Sequence, residues 1–168
     1  NLTGVGMSGM IDIGRHTELP IHAHRAGWGA LTRDPLLGWS YPAWSKLWRL
    51  DGADHMHVNG FDNKFTESNE SVAASVASLK DPLFGNSPMC AVPVFSSGQT
   101  VRQAAATLNA AGSPDVLVTA GGGIIAHPDG VTEGVKAMRQ AYDAAMQGVD
   151  VDVYAKEYHE LTAALAAF

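Results

Sequence analysis

Cysteine is nearly absent from this sequence, with one residue, Cys90, in 168. A lone thiol makes no internal disulfide, and without a C-x-x-C pair there is no zinc ribbon. Basic runs are missing too. With 11 Lys and Arg against 17 Asp and Glu, the net charge is −6, and no stretch is set to displace counterions from a phosphate backbone, which argues against nucleic acid as a partner. No apolar run is long enough to span a bilayer and the given residues hold no basic-then-apolar leader, while the abrupt opening NLTGVGMSGM, without an initiator Met, fits a fragment or a processed piece. These features predict a cytoplasmic protein with no membrane partner. The NLT tripeptide fits N-x-[ST], a pattern too common by chance to carry weight. No low-complexity tract or Gly/Ser linker divides the chain, so one domain is expected over residues 1–168. What is present, 46% apolar and 17% charged residues, is a globular composition.

Short apolar runs of strand length alternate with longer helical patterns, the signature of an α/β protein. The predicted strands are LPIHAH (19–24), ADHMHV (53–58), CAVPVF (90–95) and DVLVTA (115–120), each apolar enough to be covered on both faces. Between them lie SYPAWSKLWRL, with Trp44, Leu47 and Trp48 on one stripe, and NESVAASVASLK, with Asn69 as N-cap ahead of Val72, Val76 and Leu79. TVRQAAATLNAAG ends at Gly112 and GVTEGVKAMRQAYDAAMQG at Gly148, both in C-cap positions. DVYAKEYHELTAALAAF reads as one more amphipathic helix, a C-terminal extension from about residue 150.

Strand-helix units at this spacing suit half of an eightfold barrel or a small open sheet. In a parallel α/β barrel the chemistry sits at the C-terminal ends of the strands, and every predicted strand here ends in polar or glycine residues. His22, His24 and Arg25 end the first, His55 and His57 with Asn59 the second, Ser96 and Ser97 the third, and Gly121 to Gly123 the fourth. Side chains two apart on a strand share a face, so each H-x-H pair points together. The run GGG after DVLVTA, followed by IIAHPDG, resembles a barrel phosphate site, in which backbone N–H groups of Gly121 and Gly122 close on phosphate oxygens. Ser96 and the Gly98 N–H in FSSGQT lie in the preceding loop.

LPIHAHRAGWGA, GADHMHVNGFDNKF, VPVFSSGQ and AGGGIIAHPDG, taken in order and at this spacing, resemble the last four strand-and-loop motifs of the RuBisCO large-subunit superfamily. The resemblance covers the chain to about residue 150 and implies strands five to eight of a TIM (β/α)8 barrel. It places His24 and Arg25 at the end of the fifth strand, where the arginine binds a phosphate, and His57 beside that phosphate. Lys64 matches the lysine of the mobile loop that closes over substrate. Ser96 and Gly98 match the seventh-strand S-G-G, with Ser97 in place of the middle glycine, and Gly121 and Gly122 match the glycines that bind the other phosphate. From its residues alone Lys64, between Asn63 and Phe65 in a polar loop, reads as a solvated lysine; only the resemblance gives it a catalytic role.

Departures from carbon-fixing members point to the RuBisCO-like branch. Trp28 stands where photosynthetic forms keep a histidine, and is expected to crowd one phosphate; the closing loop reads VNGFDNKFTE. IHAHRAGWGALTRDPLLGWSYPAW is most similar to the branch that includes decarboxylases of phosphorylated 3-oxo sugar acids. The resemblance implies a Mg²⁺-stabilised enediolate. The metal's ligands, a carbamylated lysine and two carboxylates on the second strand, have no K-x-D-D or K-x-D-E counterpart here, so no metal ligand is assigned to this chain. The implied partners are the N-terminal half of the barrel, a second copy in a homodimer and a phosphorylated small molecule.

Other readings stay open at this point. A ribulose-bisphosphate carboxylase or a sugar-phosphate enolase or isomerase belongs to the same superfamily. The two H-x-H pairs suit zinc or iron, as in amidohydrolase-like barrels, although TAGGG supplies no acidic partner at the last strand. A non-catalytic half-barrel scaffold is the third. His22 and His55 read equally well as core hydrogen-bonding residues, His127 as a turn residue, His16 and His159 as surface, and Trp44 and Trp48 as core.

Overall fold

A computed structural model of the chain describes residues 1–32, 34, 36–65 and 67–168. Arg33 and Pro35, within the stretch that resembles the decarboxylase branch, and Thr66, in the closing-loop motif, lie outside the described residues. Two compact units are built from interleaved segments: unit 1 is Asn1–Val58 with Ala73–Val94, and unit 2 is Asn59–Val72 with Phe95–Phe168.

Unit 1 opens with a helix the sequence pattern did not suggest, α1 (Leu2–Arg15), kinked at Gly6 where φ is 74°. Four glycines in 14 residues hide its periodicity; its anchors are the buried Leu2 and Met10. Parallel strands β1 (His22–Ala23), β2 (His55–His57) and β3 (Val92–Phe95) follow, with His22 opposite His55 and His55 opposite Val92. Each is shorter than the apolar run that predicts it. β1 shrinks from 19–24 because Pro20 has no N–H, and the Ile21 N–H goes to the Asp54 carboxylate at 2.7 Å instead of to a strand neighbour. Leu19 is left 76% exposed. Coverage on both faces holds for Met56, Val58 and Val94, all fully buried, and fails for β1, where His22 faces solvent.

Ser40 caps α2 (Tyr41–Leu50) by accepting the Ala43 N–H at 3.3 Å, with Pro42 in the first turn. Tyr41, Trp44 and Trp48 are buried as expected, and so is Arg49. The Arg49 guanidinium donates to the carbonyls of Ser78, Asp81, Pro88 and Met89. Two of these lie at the end of α3 (Asn69–Lys80), where a cation suits the helix dipole. α3 begins one residue from the expected cap: Ser68 Oγ accepts the Ser71 N–H at 3.2 Å, while Asn69 turns its amide to Asp62.

In unit 2 Phe95, the last residue of β3, accepts the Thr119 N–H at 2.8 Å beside β4 (Leu117–Val118). Pro114 and the turn it makes with Val116 limit β4 to two residues, with Leu117 exposed. α4 (Ala104–Ala111) ends on Gly112 at φ 64°. The short α5 (Gly121–Ile125) precedes α6 (Val131–Gln147), which ends on Gly148 at φ 67°. Both are the left-handed caps that the sequence predicts. The last expected helix is broken into α7 (Val151–Tyr154), a 3-10 turn (Ala155–Glu157) and α8 (His159–Ala167). Tyr158 is extended at φ −133° because the Ala155 carbonyl is taken by the Tyr158 N–H and by Thr162 Oγ1 at 2.7 Å. Alanines fill the core: Ala104, Ala137, Ala141 and Ala164 pack with Val101, Met138, Leu161 and Leu165.

Candidate functional site

Unit 1 gathers four imidazoles. The parallel register sets His22 opposite His55, and one two-residue step further along β2 His57 meets His22, Nε2 to Nε2 at 2.7 Å. The ring of His24 lies 4.4 Å from that of His57, and the ring of His55 lies 5.9 Å from that of His22. A nitrogen pair at hydrogen-bond distance holds one proton, so one ring donates and the other accepts. His57 is buried at 6% exposure and pushed down to about 4, first by burial and then by His24, His22 and Arg25. His22 is lowered as well, chiefly by burial and by its histidine neighbours. The cluster is therefore neutral at His57 near pH 7. His24 Nδ1 accepts the Ala26 N–H at 3.0 Å, which puts the proton of the neutral ring on Nε2.

Arg25 follows at once. Its guanidinium carbon lies 4.4 Å from the centroid of Tyr41 and 6.0 Å from that of Trp28. Trp28 is turned into the core, 5.4 Å from Tyr41 and 4.6 Å from Trp44. Its bulk serves aromatic packing beside Arg25. The Tyr41 hydroxyl donates to the main-chain carbonyl of His57.

Unit 2 holds the remaining predicted residues. The buried Asn59 gives its amide N–H to the Glu67 carboxylate and accepts Ser97 Oγ–H at 2.7 Å; Ser96 Oγ lies 3.3 Å from Ser97 Oγ. The Lys64 N–H donates to the Ser97 carbonyl at 3.0 Å, and Lys64 Nζ lies 5.6 Å from the Phe65 ring centroid, exposed. Asn63 donates to the carbonyls of Gly60 and Glu67, and Gln99 donates to that of Phe61 at 3.1 Å. The loop carrying the lysine is therefore folded on itself by side chain to backbone bonds. Ser97 at φ 72° and Gly98 at φ 92° make the turn beneath it.

Gly121 and Gly122 open α5, exposed, with no atom within 4 Å of the place a Cβ would occupy. Gly123 is the glycine that packing requires, since a Cβ there would lie 2.4 Å from the Gln99 carbonyl. Gly60 is required likewise, with a Cβ meeting the Gln99 side chain at 1.9 Å. Sequence reasoning missed Gly60, Glu67, Gln99 and the part played by Tyr41. Gln99 sits inside the motif VPVFSSGQ and was overlooked beside its serines and glycine; Tyr41 reads as one more core aromatic.

His127 is buried as a turn residue, accepting the Asp129 N–H at Nδ1, with its Nε2 2.9 Å from the Glu160 carbonyl. His16 and His159 are exposed. Among the described residues no three His, Cys, Asp or Glu side chains are placed to hold a metal ion. Mg²⁺ fits these residues no better, because a hard cation takes carboxylate and carbonyl oxygens and the cluster offers imidazole nitrogens. Among the described residues no helix is long and apolar enough to cross a membrane.

Residues 2–168 match the family model described as ribulose bisphosphate carboxylase large chain, catalytic domain. The chain is 54% identical, over 98% of its length, to a 3-oxo-isoapionate-4-phosphate transcarboxylase/hydrolase of Xanthobacter autotrophicus, 40% of which is covered. It is 40% identical, over its whole length, to a 3-oxo-isoapionate-4-phosphate decarboxylase of Rhizobium etli, again covering 40% of that protein. Among solved structures, a rubisco-like protein from Burkholderia fungorum matches with a TM-score of 0.97 at 43% identity, over 100% of this chain and 42% of that one. The chain thus spans about 40% of the length of the curated relatives it matches. Its α/β fold with parallel strands, the order of its strand-end motifs and the match over residues 2–168 lead to one conclusion: the chain belongs to the RuBisCO large-chain family, among its RuBisCO-like members.

Proposed function

We propose that the chain forms strands five to eight of a (β/α)8 barrel in an enzyme that decarboxylates a phosphorylated 3-oxo sugar acid. The observation that carries the chemistry is the cluster of imidazoles, with His57 held neutral by burial, beside one guanidinium at the ends of β1 and β2. Arg25, with His57 beside it, grips a phosphate. Ser96, Gly98 and the N–H groups of Gly121 and Gly122 bind the substrate's other anionic end; with nothing of the protein near a Cβ at 121 or 122, glycine there leaves room for a ligand. The substrate class follows the names of the relatives at 54% and 40% identity.

In the reaction the bond between the carboxylate and the carbon next to the 3-oxo group breaks. CO₂ leaves, the electron pair passes into the carbonyl as an enolate, and the carbon then takes a proton. Lys64 balances the charge that develops, and its loop excludes water. His24, with its proton on Nε2, hydrogen-bonds the enolate oxygen, and the His57 and His22 pair holds that ring in place. Mg²⁺, which the resemblance implies, has its ligands in the part of the protein that this chain does not span, as does the first half of the barrel; a homodimer is the assembly we expect.

A second reading, carboxyl transfer with hydrolysis, is favoured by the higher identity of the relative so named. Substrate labelled with ¹³C at the carboxylate separates the two. Release of the label as CO₂ supports decarboxylation, and its retention in an organic product supports transfer. Turnover of ribulose bisphosphate in place of the 3-oxo acid would sink both.

A further inference from the structure

We propose that Tyr41 is a positioning residue for anion binding: its buried ring, anchored to the end of β2 through its hydroxyl, is the platform that orients Arg25 toward a phosphate. This rests on the reading of Arg25 as a phosphate ligand. Tyr41 is the first residue of α2, fixed there by the Ser40 cap and by Pro42 in the first turn. It is 4% exposed, with Trp28 edge-on at 5.4 Å and Trp44 at 5.6 Å. Its hydroxyl donates to the His57 carbonyl. Packing on its sides and a bond at its tip hold the ring in place before a ligand arrives.

The Arg25 guanidinium carbon lies over this ring at 4.4 Å, with the Trp28 ring at 6.0 Å. Attraction to the ring quadrupole acts through the flat face of the guanidinium, while a phosphate is gripped through the in-plane fork of N–H groups. The two contacts do not compete. An arginine already confined over a ring has also lost much of the rotamer freedom that binding would otherwise cost, so the platform raises anion affinity without touching the anion. A tyrosine in the first turn of an amphipathic helix has the ordinary role of core filler. Here the ring, the hydroxyl and the cation above it converge on the two residues, Arg25 and His57, that end neighbouring strands.

Calorimetric titration of the intact protein with inorganic phosphate tests this. Tyr41→Leu is expected to weaken phosphate binding roughly 5-fold, from the usual size of a cation–π contact. Tyr41→Phe, which keeps the ring between Trp28 and Trp44, stays within about 2-fold of wild type. Phenylalanines carrying ring fluorines at position 41 keep the shape but drain the face of negative charge, so affinity falls as fluorines are added. In an Arg25→Ala background Tyr41→Leu causes no further loss, because no guanidinium is left to orient. Equal losses in both backgrounds, or unchanged affinity in the leucine and fluorinated variants, overturn the proposal and leave the phosphate reading standing. An Arg25→Ala protein that binds phosphate like wild type overturns the phosphate reading itself. If Tyr41→Leu does not fold, the fluorinated series against Tyr41→Phe decides alone.

Discussion

The strand ends of unit 1 and the loops of unit 2 hold their functional groups by different means. His22, His24, His55 and His57 are placed by the sheet: period two along β1 and β2, parallel register, and the buried aromatics of α2 behind them. Lys64, Ser97 and Gly98 are placed by a local net in which Asn59, Asn63, Glu67 and Gln99 bond the backbone and one another. A site built on strands inherits its geometry from a pattern that any reader of the chain can see. A site built on loops depends on individual side-chain partners that no periodicity announces. The electrostatics differ in the same way. Burial makes His57 reluctant to take a proton, whereas the Lys64 side chain is exposed to solvent.

The sharpest test of this division uses one variant from each region in the intact protein. Lys64→Met is expected to lower turnover by roughly 100-fold or more, the usual size when one charge-stabilising donor is lost. Its melting temperature should scarcely move, because an exposed loop lysine packs against little. Arg25→Ala should raise KM at least as much as it lowers kcat, since a phosphate anchor binds substrate and transition state almost equally. Equal kcat losses in both variants, with KM unchanged, would erase the distinction between anchor and charge stabiliser.

Next in size is a glycine comparison within unit 2. Gly123→Ala drives a Cβ to 2.4 Å from the Gln99 carbonyl, whereas Gly121→Ala meets nothing within 4 Å. Denaturant titration should show Gly123→Ala less stable by about 1–3 kcal/mol, the usual cost of overpacking. Gly121→Ala should be neutral in stability and should instead weaken phosphate binding. Loss of stability at Gly121, with binding intact, would make that glycine a packing residue.

The strands, the helix caps at Gly112 and Gly148, and the histidine pairs were legible because periodicity and left-handed caps are written in residue type. β1 and β4 came out shorter than their apolar runs because Pro20, Pro114 and the Asp54 carboxylate withhold or divert backbone bonds, a tertiary event for Asp54. α1 was missed because glycine masks its pattern, and the final helix was overextended because Thr162 captures a carbonyl seven residues back. At the site, type and spacing marked His24, Arg25, His57 and the serine and glycine turns. Lys64 was readable only through the family resemblance, and Gln99, Glu67 and Tyr41 act through partners 38, 8 and 16 residues away.

The imidazole cluster should also make stability depend on pH. His57 has a folded pKa of about 4 against 6.5 for the free side chain, so between these values the unfolded chain binds the extra proton. Stability is therefore full above about pH 6.5 and falls as pH drops from there toward 4. The loss is on the order of 2 kcal/mol, and a His57→Gln variant should show a flatter profile over that window. A wild-type denaturation midpoint that stays constant from pH 7 to 4 would contradict a neutral, buried His57.

The smallest expected effect belongs to Ser97, the position that the resemblance matches to a glycine of the S-G-G motif. Two terms oppose each other there. At φ 72° a residue with a Cβ is strained by about 1 kcal/mol relative to glycine, so Ser97→Gly relieves the backbone. The same change removes the Ser97 Oγ–H donated to Asn59 Oδ1 at 2.7 Å, and a hydrogen bond to a buried amide contributes about 1 kcal/mol. The net change in unfolding free energy should lie within about 0.5 kcal/mol of zero. What should change is the loop. Without the serine, Asn59 keeps its bond to Glu67 but loses the one to residue 97, and the Lys64 N–H bond to residue 97 rests on a freer backbone. Amide hydrogen exchange at residues 60–65 should therefore quicken while global stability stays level. If exchange there stays as in wild type, the Asn59 and Ser97 contact does not hold the loop. If stability instead drops by more than about 1 kcal/mol, the hydrogen bond outweighs the strain, and serine at this position is a stabilising replacement for the family's glycine.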